Sequence, residues 1–516
     1  MRKASVVRAV RDAVAKRDDG DVAEALLAEV SRFVSTIDGR TADRDGRFSP
    51  HVLDGARSLG LFALTIPAEH GGLGLALPTA CAVIDTLATV DRSFAIAIGL
   101  HAGLGTRGIV DLGSPSLRDR WLPRMASGEC VGAFAATEAG AGSDLTAMRT
   151  VLREGPGGFV LDGEKSFVTN GGFAGLFTVL TSSPSFGGQR GHTLVCVPAD
   201  SPGVEIGREE DKLGIRASST VTVRFDGVRV PADHVLGQPG RGIEHAHGVL
   251  AWGRTLMASG CVGTARAALA VTLAYVQSRR QFGRPIGSFA ASREHIAGMA
   301  SRVLAMDAFV RHVAEQPPSE LGALSPFAKV YCSEEAFAVC DQAVQLHGAL
   351  GFLEPTGVAR MLRDCRITRI FEGANDVLLV RLGAARVAAG GTSALDADGN
   401  DATEAYRAAV KRLDGALAWV RAHHGVRVVR RQTILQHLAR AEMYLRAARA
   451  VSRVAATRQD AELAAFTTDD LVARAGTHIG AVTSAEAREE RVARLTDALY
   501  GHDVPTHNEG LLSVSP

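Results

Sequence analysis

The chain is short of most features that announce a function class. It carries no excess charge of one sign: 57 Lys+Arg face 56 Asp+Glu, a formal net charge of +1. That argues against nucleic-acid binding by bulk charge, which needs a basic excess. Lysine itself is scarce, supplying 6 of the 57 basic residues, a bias that reads as the codon usage of a GC-rich bacterial genome rather than as chemistry. No uninterrupted apolar run approaches the ~18 residues of a membrane span. The stretch MRKASVVRAVRDAVAKRDDG is basic but has no continuous apolar core, and Asp12, Asp18 and Asp19 suit a surface helix. Neither a secretory signal nor a transit peptide is expected. The 7 cysteines, at 81, 130, 196, 261, 332, 340 and 365, form no CxxC pair and keep no regular spacing, so reduced thiols in a cytoplasmic protein are expected. HExxH, GxSxG and GxxxxGK[ST] are all missing, which removes the commonest zinc-protease, hydrolase and NTPase readings. His423 and His424 read as solvated side chains, and no metal site is expected.

What is present is length and a change of texture. At 516 residues and 54.1 kDa the chain is too long for one core, and three or four domains are expected. Hydrophobic residues at 46% and charged residues at 22% are ordinary for a globular protein and exclude wholesale disorder. Residues 1–133 read as helical, with apolar positions three and four apart in VAEALLAEVSRFVSTI (22–37) and ALPTACAVIDTLATV (76–90). Short alternating segments follow, among them GFVLDGEKSFVT, HTLVCV and STVTVRFDGVRV, separated by Gly, Asp, Ser and Pro; they predict a β domain over 134–243. Helical periodicity returns in 257–278, 291–315, 326–348 and 374–389, which suits an antiparallel four-helix bundle over 244–388. AAGGTSALDADGND (388–401) reads as a linker, and an Arg-rich helical extension occupies 395–516. This α, β, α, α order disfavours a Rossmann enzyme. GLGTRG (103–108) matches GxGxxG, but helical flanks and 56 glycines make it a chance match.

Four segments carry chemistry. In FAATEAGAGSDLTAMRT (134–150) a strand runs into a small-residue loop, where backbone N–H groups can approach an anionic or carbonyl-rich ligand and Thr137 and Ser143 add hydroxyls. A plain surface turn is the alternative. KSFVTNGG (165–172) puts Phe167 and Thr169 on one strand face. SRRQFGRPI (278–286) gathers Arg279, Arg280 and Phe282 at a helix end, suited to a phosphate partner, although each arginine alone reads as solvated. In RITRIFEGANDVLL (366–379), Glu372 follows Ile370 and Phe371. A carboxylate among apolar groups has a raised pKa and is a candidate general base; a helix-capping carboxylate is the alternative.

In this order and spacing, and with DKLGIRASST (211–220), FDGVRVP (225–231), QLHGALGF (345–352) and RMLRDCRITRIFEGAND (360–376), the segments resemble the acyl-CoA dehydrogenase family of flavoproteins. The resemblance covers roughly residues 45–388. FEGAND and the C-terminal extension look most like the very-long-chain branch. The resemblance implies a mainly α fold with a central β-barrel, in which a helical domain, the barrel and a four-helix bundle are followed by added helices. It implies FAD between barrel and bundle, completed by the neighbouring subunit of a homodimer or dimer of dimers. The implied reaction is α,β-dehydrogenation of an acyl thioester to the trans-2-enoyl product. Acyl-CoA or an acyl-carrier-protein thioester would be the substrate and an electron-transfer flavoprotein the electron acceptor.

By this resemblance Glu372 is the base. Some relatives place the base just before the bundle arginine, and here that position is Gly253, before Arg254. Phe134, Ala136 and Thr137 would line the isoalloxazine edge, Gly142 and Ser143 the pyrophosphate and the entering substrate, and Phe167 and Thr169 the ring and its N5. From the partner subunit, Arg279, Gln281 and Phe282 would hold the ADP half, with Gln345, Gly348 and Ala349 closing over it. Asn375 and Asp376 match further cofactor positions, and Arg254 the helix beside the CoA tail. Four residues depart from the family pattern: Ala139 for Pro, Phe167 for Trp, Ala374 for Thr and Ala290 for Gln.

Other readings stay open: a carrier-protein thioester dehydrogenase, an acyl-CoA oxidase, or a flavin-binding scaffold, for which a retained base would be superfluous. In the extension, Arg427, Arg430, Arg431, Arg440, Arg446, Arg449 and Arg453 flank an apolar stripe of Ile434, Leu435, Leu438 and Leu445. Such a helix either faces a core or lies on an anionic membrane.

Overall fold

The computed structural model describes residues 20–186, 189–391, 395, 402–455 and 461–500. The N-terminal surface-helix reading and most of the 388–401 linker lie outside them. The chain divides into two compact units, Met1–Asn375 with Arg453–Thr467, and Asp376–Ser452 with Thr468–Pro516.

The first unit opens with short helices whose ends are written in the sequence. Asp38 accepts from the Arg40 and Thr41 N–H groups ahead of Gly39–Asp45, and Asp91 accepts from Phe94 N ahead of Arg92–Leu100. Ser114 caps Pro115–Ala126, where proline occupies the first turn. Leu77–Ala88 is apolar nearly all round and buried nearly all round. The helix Arg92–Leu112 and the bundle helix Gly242–Ser278 are long and apolar enough to cross a membrane, yet 83% and 72% of those windows are buried inside the fold.

GLGTRG falls within Arg92–Leu112, in and just after a π-helical turn at His101–Gly105. Its glycines serve close packing. A β-carbon at Gly103 would lie 3.2 Å from the Gly253 Cα, and one at Gly105 would lie 2.7 Å from the Gly132 carbonyl. His101 locks the same junction: its Nδ1 accepts from Gly132 N at 3.0 Å, so Nε2–H donates to Phe62 O, also at 3.0 Å. Burial holds this imidazole neutral, its pKa lowered to about 4.

The β segment forms one eight-stranded sheet. We number its strands β1 Val131–Ala135, β2 Val151–Gly155, β3 Gly158–Thr169, β4 Ala174–Phe186, β5 Gln189–Pro198, β6 Val204–Glu209, β7 Thr220–Pro231 and β8 Val235–Leu236. The order is β6-β7-β3-β2-β4-β5-β8, with β1 parallel to β4. Inward residues of six strands, such as Ala133, Leu152, Leu161, Phe177, Val195 and Val223, share one core. A second cluster joins Leu176, Leu180 and Leu194 to Trp121, Leu122 and Met125 of the helical segment. Alternation along β4 and β5 thus serves two cores at once.

The bundle follows with Gly242–Ser278, Ala290–Ala314 and Pro318–His347, then a short helix, Val358–Arg366. The expected fourth helix, Asn375–Ala389, is present, but from Asp376 onward it clusters with the C-terminal helices. Those are Glu404–His424, Gln432–Ala455, Ala461–Ala481 and Ala485–Tyr500. In the second unit Ile434, Leu435, Leu438 and Leu445 are all buried, as are Leu413 and Leu417. The apolar stripe is a core stripe. Glu442, at 0% exposure, is held by Arg386 from the first helix of the unit and by Arg446 on its own helix.

Candidate active site

Glu372 sits where the short helix Val358–Arg366 has ended and the helix Asn375–Ala389 has not begun. Its backbone is left-handed, at φ 55°, and is followed by Gly373 at φ 102°. Such a conformation costs a non-glycine residue ~1–3 kcal/mol and persists only where the surroundings impose it. Two buried cations impose it. Arg254 Nε donates to Glu372 O at 2.9 Å, and Lys329 Nζ donates to Gly373 O at 2.8 Å and to Asn375 Oδ1 at 2.7 Å. Asn375 Nδ2 in turn donates to Ser333 Oγ at 3.0 Å.

The carboxylate end is treated differently from the backbone. Glu372 Oε2 is buried and has no hydrogen-bond partner among the described residues. It faces a narrow cavity with apolar walls from Ile96, Leu100, Leu256, Met257 and Phe371, in which Arg92 is the other charged side chain. Burial raises the Glu372 pKa to about 7, against the pull of Arg254, Lys329 and Arg92. Burial likewise lowers the Lys329 pKa to about 7, and the charge of Glu372 resists that fall. A carboxylate with a pKa near 7, a free oxygen and an apolar cavity before it can take a proton from carbon. Gly253 leaves the space for this: a β-carbon there would fall 2.5 Å from Leu104 Cδ2 and 3.4 Å from Glu372 Oε2.

The other predicted residues fall into two groups. Phe134 belongs to β1, with Ala136 and Thr137 just beyond it, and Phe167 and Thr169 end β3. The two strand ends are tied by Ser166 N donating to Thr137 O at 2.9 Å and by Lys165 Nζ donating to Ala136 O at 3.0 Å. Lys165 also pairs with Glu138, whose carboxylate receives the Arg149 and Thr150 N–H groups. The loop carrying Gly142 and Ser143 is thereby closed at its base while both residues stay exposed. Phe167 presents its ring at φ 56° and 63% exposure, and Thr169 pairs with Thr220, whose buried hydroxyl has no partner.

The second group is exposed at the far end of the bundle. Arg279 follows the long helix, Gln281 and Phe282 form a small hairpin, and Phe282 is 92% exposed. Gln345, Gly348 and Ala349 are exposed at the end of the helix Pro318–His347, where Tyr275 stacks on His347 at 4.3 Å. No hydrogen bond among the described residues joins this group to the strand ends. Asn375 is buried in the Lys329 network, and Asp376 is exposed. The exposed rings of Phe167 and Phe282, the unpaired Thr220 hydroxyl and the small-residue loop fit a planar ring system with an anionic tail.

Lys329 and Arg92 were not anticipated from the sequence. The available signal was a lysine inside the apolar run PFAKVYC, in a chain with 6 lysines.

Three family models match in succession: the N-terminal domain of acyl-CoA dehydrogenase over residues 21–129, the middle domain over 133–228 and the C-terminal domain over 240–387. The chain is 34% identical over 376 residues to the very long-chain specific acyl-CoA dehydrogenase, mitochondrial, of Bos taurus. That match covers 71% of this chain and 57% of the relative, less than two thirds of its length. The solved structure of butyryl-CoA dehydrogenase from Megasphaera elsdenii aligns with a TM-score of 0.69 and 30% identity, over 72% of this chain and 99% of that one. An acyl-CoA dehydrogenase from Bacillus anthracis, solved complexed with FAD, aligns with a TM-score of 0.76 and 25% identity, over 94% of this chain and 88% of that one.

Proposed function

The chain belongs to the acyl-CoA dehydrogenase family, and from that premise we propose that it oxidises the Cα–Cβ bond of an acyl-CoA thioester to the trans-2-enoyl thioester, with Glu372 as the base. The observation that carries this reading is the unpartnered, buried Glu372 Oε2, with its pKa raised to about 7, facing an apolar cavity. A thioester α-proton is removed only by a base that is ionised, weakly solvated and held still. Desolvation supplies the basicity, and the clamps on the flanking carbonyls hold the base. Arg254 and Lys329 keep the carboxylate ionisable near neutral pH, where an isolated buried carboxyl would stay protonated.

The thioester carbonyl would be polarised by the Glu372 backbone N–H, which the positive φ turns away from the helical direction. FAD is the cofactor, held by Phe134, Thr137, Phe167 and Thr169 and by Arg279, Gln281 and Phe282 of a second subunit, and it supplies the acceptor for the β-hydrogen with its electron pair. An electron-transfer flavoprotein is the proposed next carrier, and a homodimer or dimer of dimers the proposed assembly.

Anaerobic titration of the yellow protein with acyl-CoAs of increasing length, followed at the flavin band, tests this. Bleaching by some chain length, lost in Glu372→Gln with FAD still bound, is expected. A flavin that no acyl-CoA reduces would overturn the reading in favour of a carrier-protein substrate or a scaffold.

A further inference from the structure

The cavity in front of Glu372 has a second polar end. Arg92 opens the helix Arg92–Leu100, is 2% exposed and lines the same cavity. Its Nη2 donates to Met257 O at 3.1 Å and lies 3.3 Å from Cys261 Sγ. Among the described residues its Nε is buried with no partner, Nη1 makes no hydrogen bond, and no carboxylate pairs with it. A guanidinium has five N–H donors and is never deprotonated. Leaving such a charge buried without a hydrogen-bonded carboxylate is costly, and an apolar replacement of similar volume would usually serve a purely structural role better.

The helix Gly242–Ser278 has made room for it. A β-carbon at Gly260 would overlap Arg92 Nη1, and one at Gly253 would come within 3.4 Å of Glu372 Oε2. Gly253, Leu256, Met257 and Gly260 stand at i, i+3, i+4 and i+7, one stripe of one helix face. The base lies over the first glycine of the stripe and the guanidinium over the last. Seven residues of helix separate them by about 10 Å.

We propose that Arg92 receives a carboxylate at the far end of the acyl chain, so that the substrates of this site are thioesters of dicarboxylic acids. The inference rests on the dehydrogenase reading of the cavity and deepens it. With the α-carbon about 3 Å from the base and the carboxylate about 3 Å from the guanidinium, roughly 4–8 Å remains between them. About four to six bonds of ~1.5 Å span that gap, which corresponds to an acyl group of about five to seven carbons. A chain ending in a methyl group would bring nothing to the unpaired N–H groups and would leave them desolvated.

The test uses the FAD-loaded Glu372→Gln protein, which binds substrate without consuming it. Calorimetric titration compares CoA thioesters of five to seven carbons ending in methyl with those ending in carboxylate. The carboxylate series is expected to bind about 10- to 100-fold tighter, as hydrogen bonds to a charged group imply. Arg92→Met should erase that preference and Arg92→Lys keep part of it. Should Arg92→Met fail to fold, Ala95→Glu, which offers the guanidinium an internal carboxylate from the next turn, should erase it instead. Equal affinity for the two series, or a preference that survives these substitutions, overturns the proposal. Flavin bleaching in the unsubstituted enzyme separates the two ideas. Bleaching by methyl-ended thioesters alone would sink the carboxylate site and spare the dehydrogenase. An Arg92-dependent preference with no bleaching by either series would do the reverse.

Discussion

Glu372 shows how a single residue is tuned by opposing effects. Burial pushes its carboxyl up, three cations push it down, and the balance rests at about 7. The active form is the ionised one, so the rate should rise with pH through that value. Lys329→Met removes a charge that favours ionisation. The acid limb of kcat/KM against pH should therefore move to higher pH, by about 1 unit, a shift worth about 1.4 kcal/mol. A limb that stays put or moves to lower pH would show that Lys329 acts only on the backbone. Glu372→Gln keeps the shape and the carbonyl clamps but removes the base. Turnover should fall by at least about 100-fold, in the range general-base catalysis contributes, while FAD absorbance persists. The sequence pointed to this residue because two apolar neighbours and a following glycine are readable locally. It did not point to Lys329, which lies 43 positions away and meets Glu372 only through helix packing.

At the scale of elements, close approach and buried charge do the fixing. The GxGxxG match turned out to be part of a helix because its glycines meet other backbone, at Gly253 and Gly132. Gly105→Ala would force a β-carbon to 2.7 Å from the Gly132 carbonyl and should destabilise the first unit by ~1–3 kcal/mol, read as a lower urea midpoint. Arg360 joins the short helix Val358–Arg366 to the cap of Arg92–Leu100 through Asp91 at 3.2 Å, with Asp364 at 3.8 Å. Asp364 also receives Ile215 N, so the helix and the loop between β6 and β7 meet at one carboxylate. Burial raises Asp91 to about 6 and Asp364 to about 7. With folded pKa values above the unfolded ones, both carboxyls favour the native state when protonated, and that contribution fades as pH rises through 6 to 7. Arg360→Ala should accordingly cost ~3–5 kcal/mol at pH 8 and distinctly less at pH 5, measured by urea unfolding at the two pH values. A loss independent of pH would refute the charge argument.

For the molecule as a whole, the division falls after Asn375, inside what the sequence presented as a four-helix bundle. The second unit has its own buried ion triad, Glu442 with Arg386 and Arg446. Glu442→Ala would take the buried carboxylate away from two guanidinium groups and should destabilise that unit by ~3–5 kcal/mol; fluorescence of Trp419, which lies in it, would report the transition. Phe282, exposed in the single chain, is proposed to meet FAD across a subunit boundary. Arg279→Ala with Phe282→Ala should then weaken FAD retention by about 10-fold, read from the ratio of flavin to protein absorbance. Unchanged retention would place the ADP half elsewhere.

Periodicity and turn residues act within a few positions, and so the order of helices, sheet and helices was legible in the chain. The motif segments were legible too, since a small-residue loop after a strand and a carboxylate behind two apolar residues have local meaning. Bringing Lys329 and Arg254 to the carbonyls beside Glu372, Arg92 to the opposite end of its cavity, and Gly253 and Gly260 under both charges required the fold. Those positions are distant in sequence, and desolvation, which decides their charge and chemistry, depends on what surrounds a side chain rather than on what precedes it.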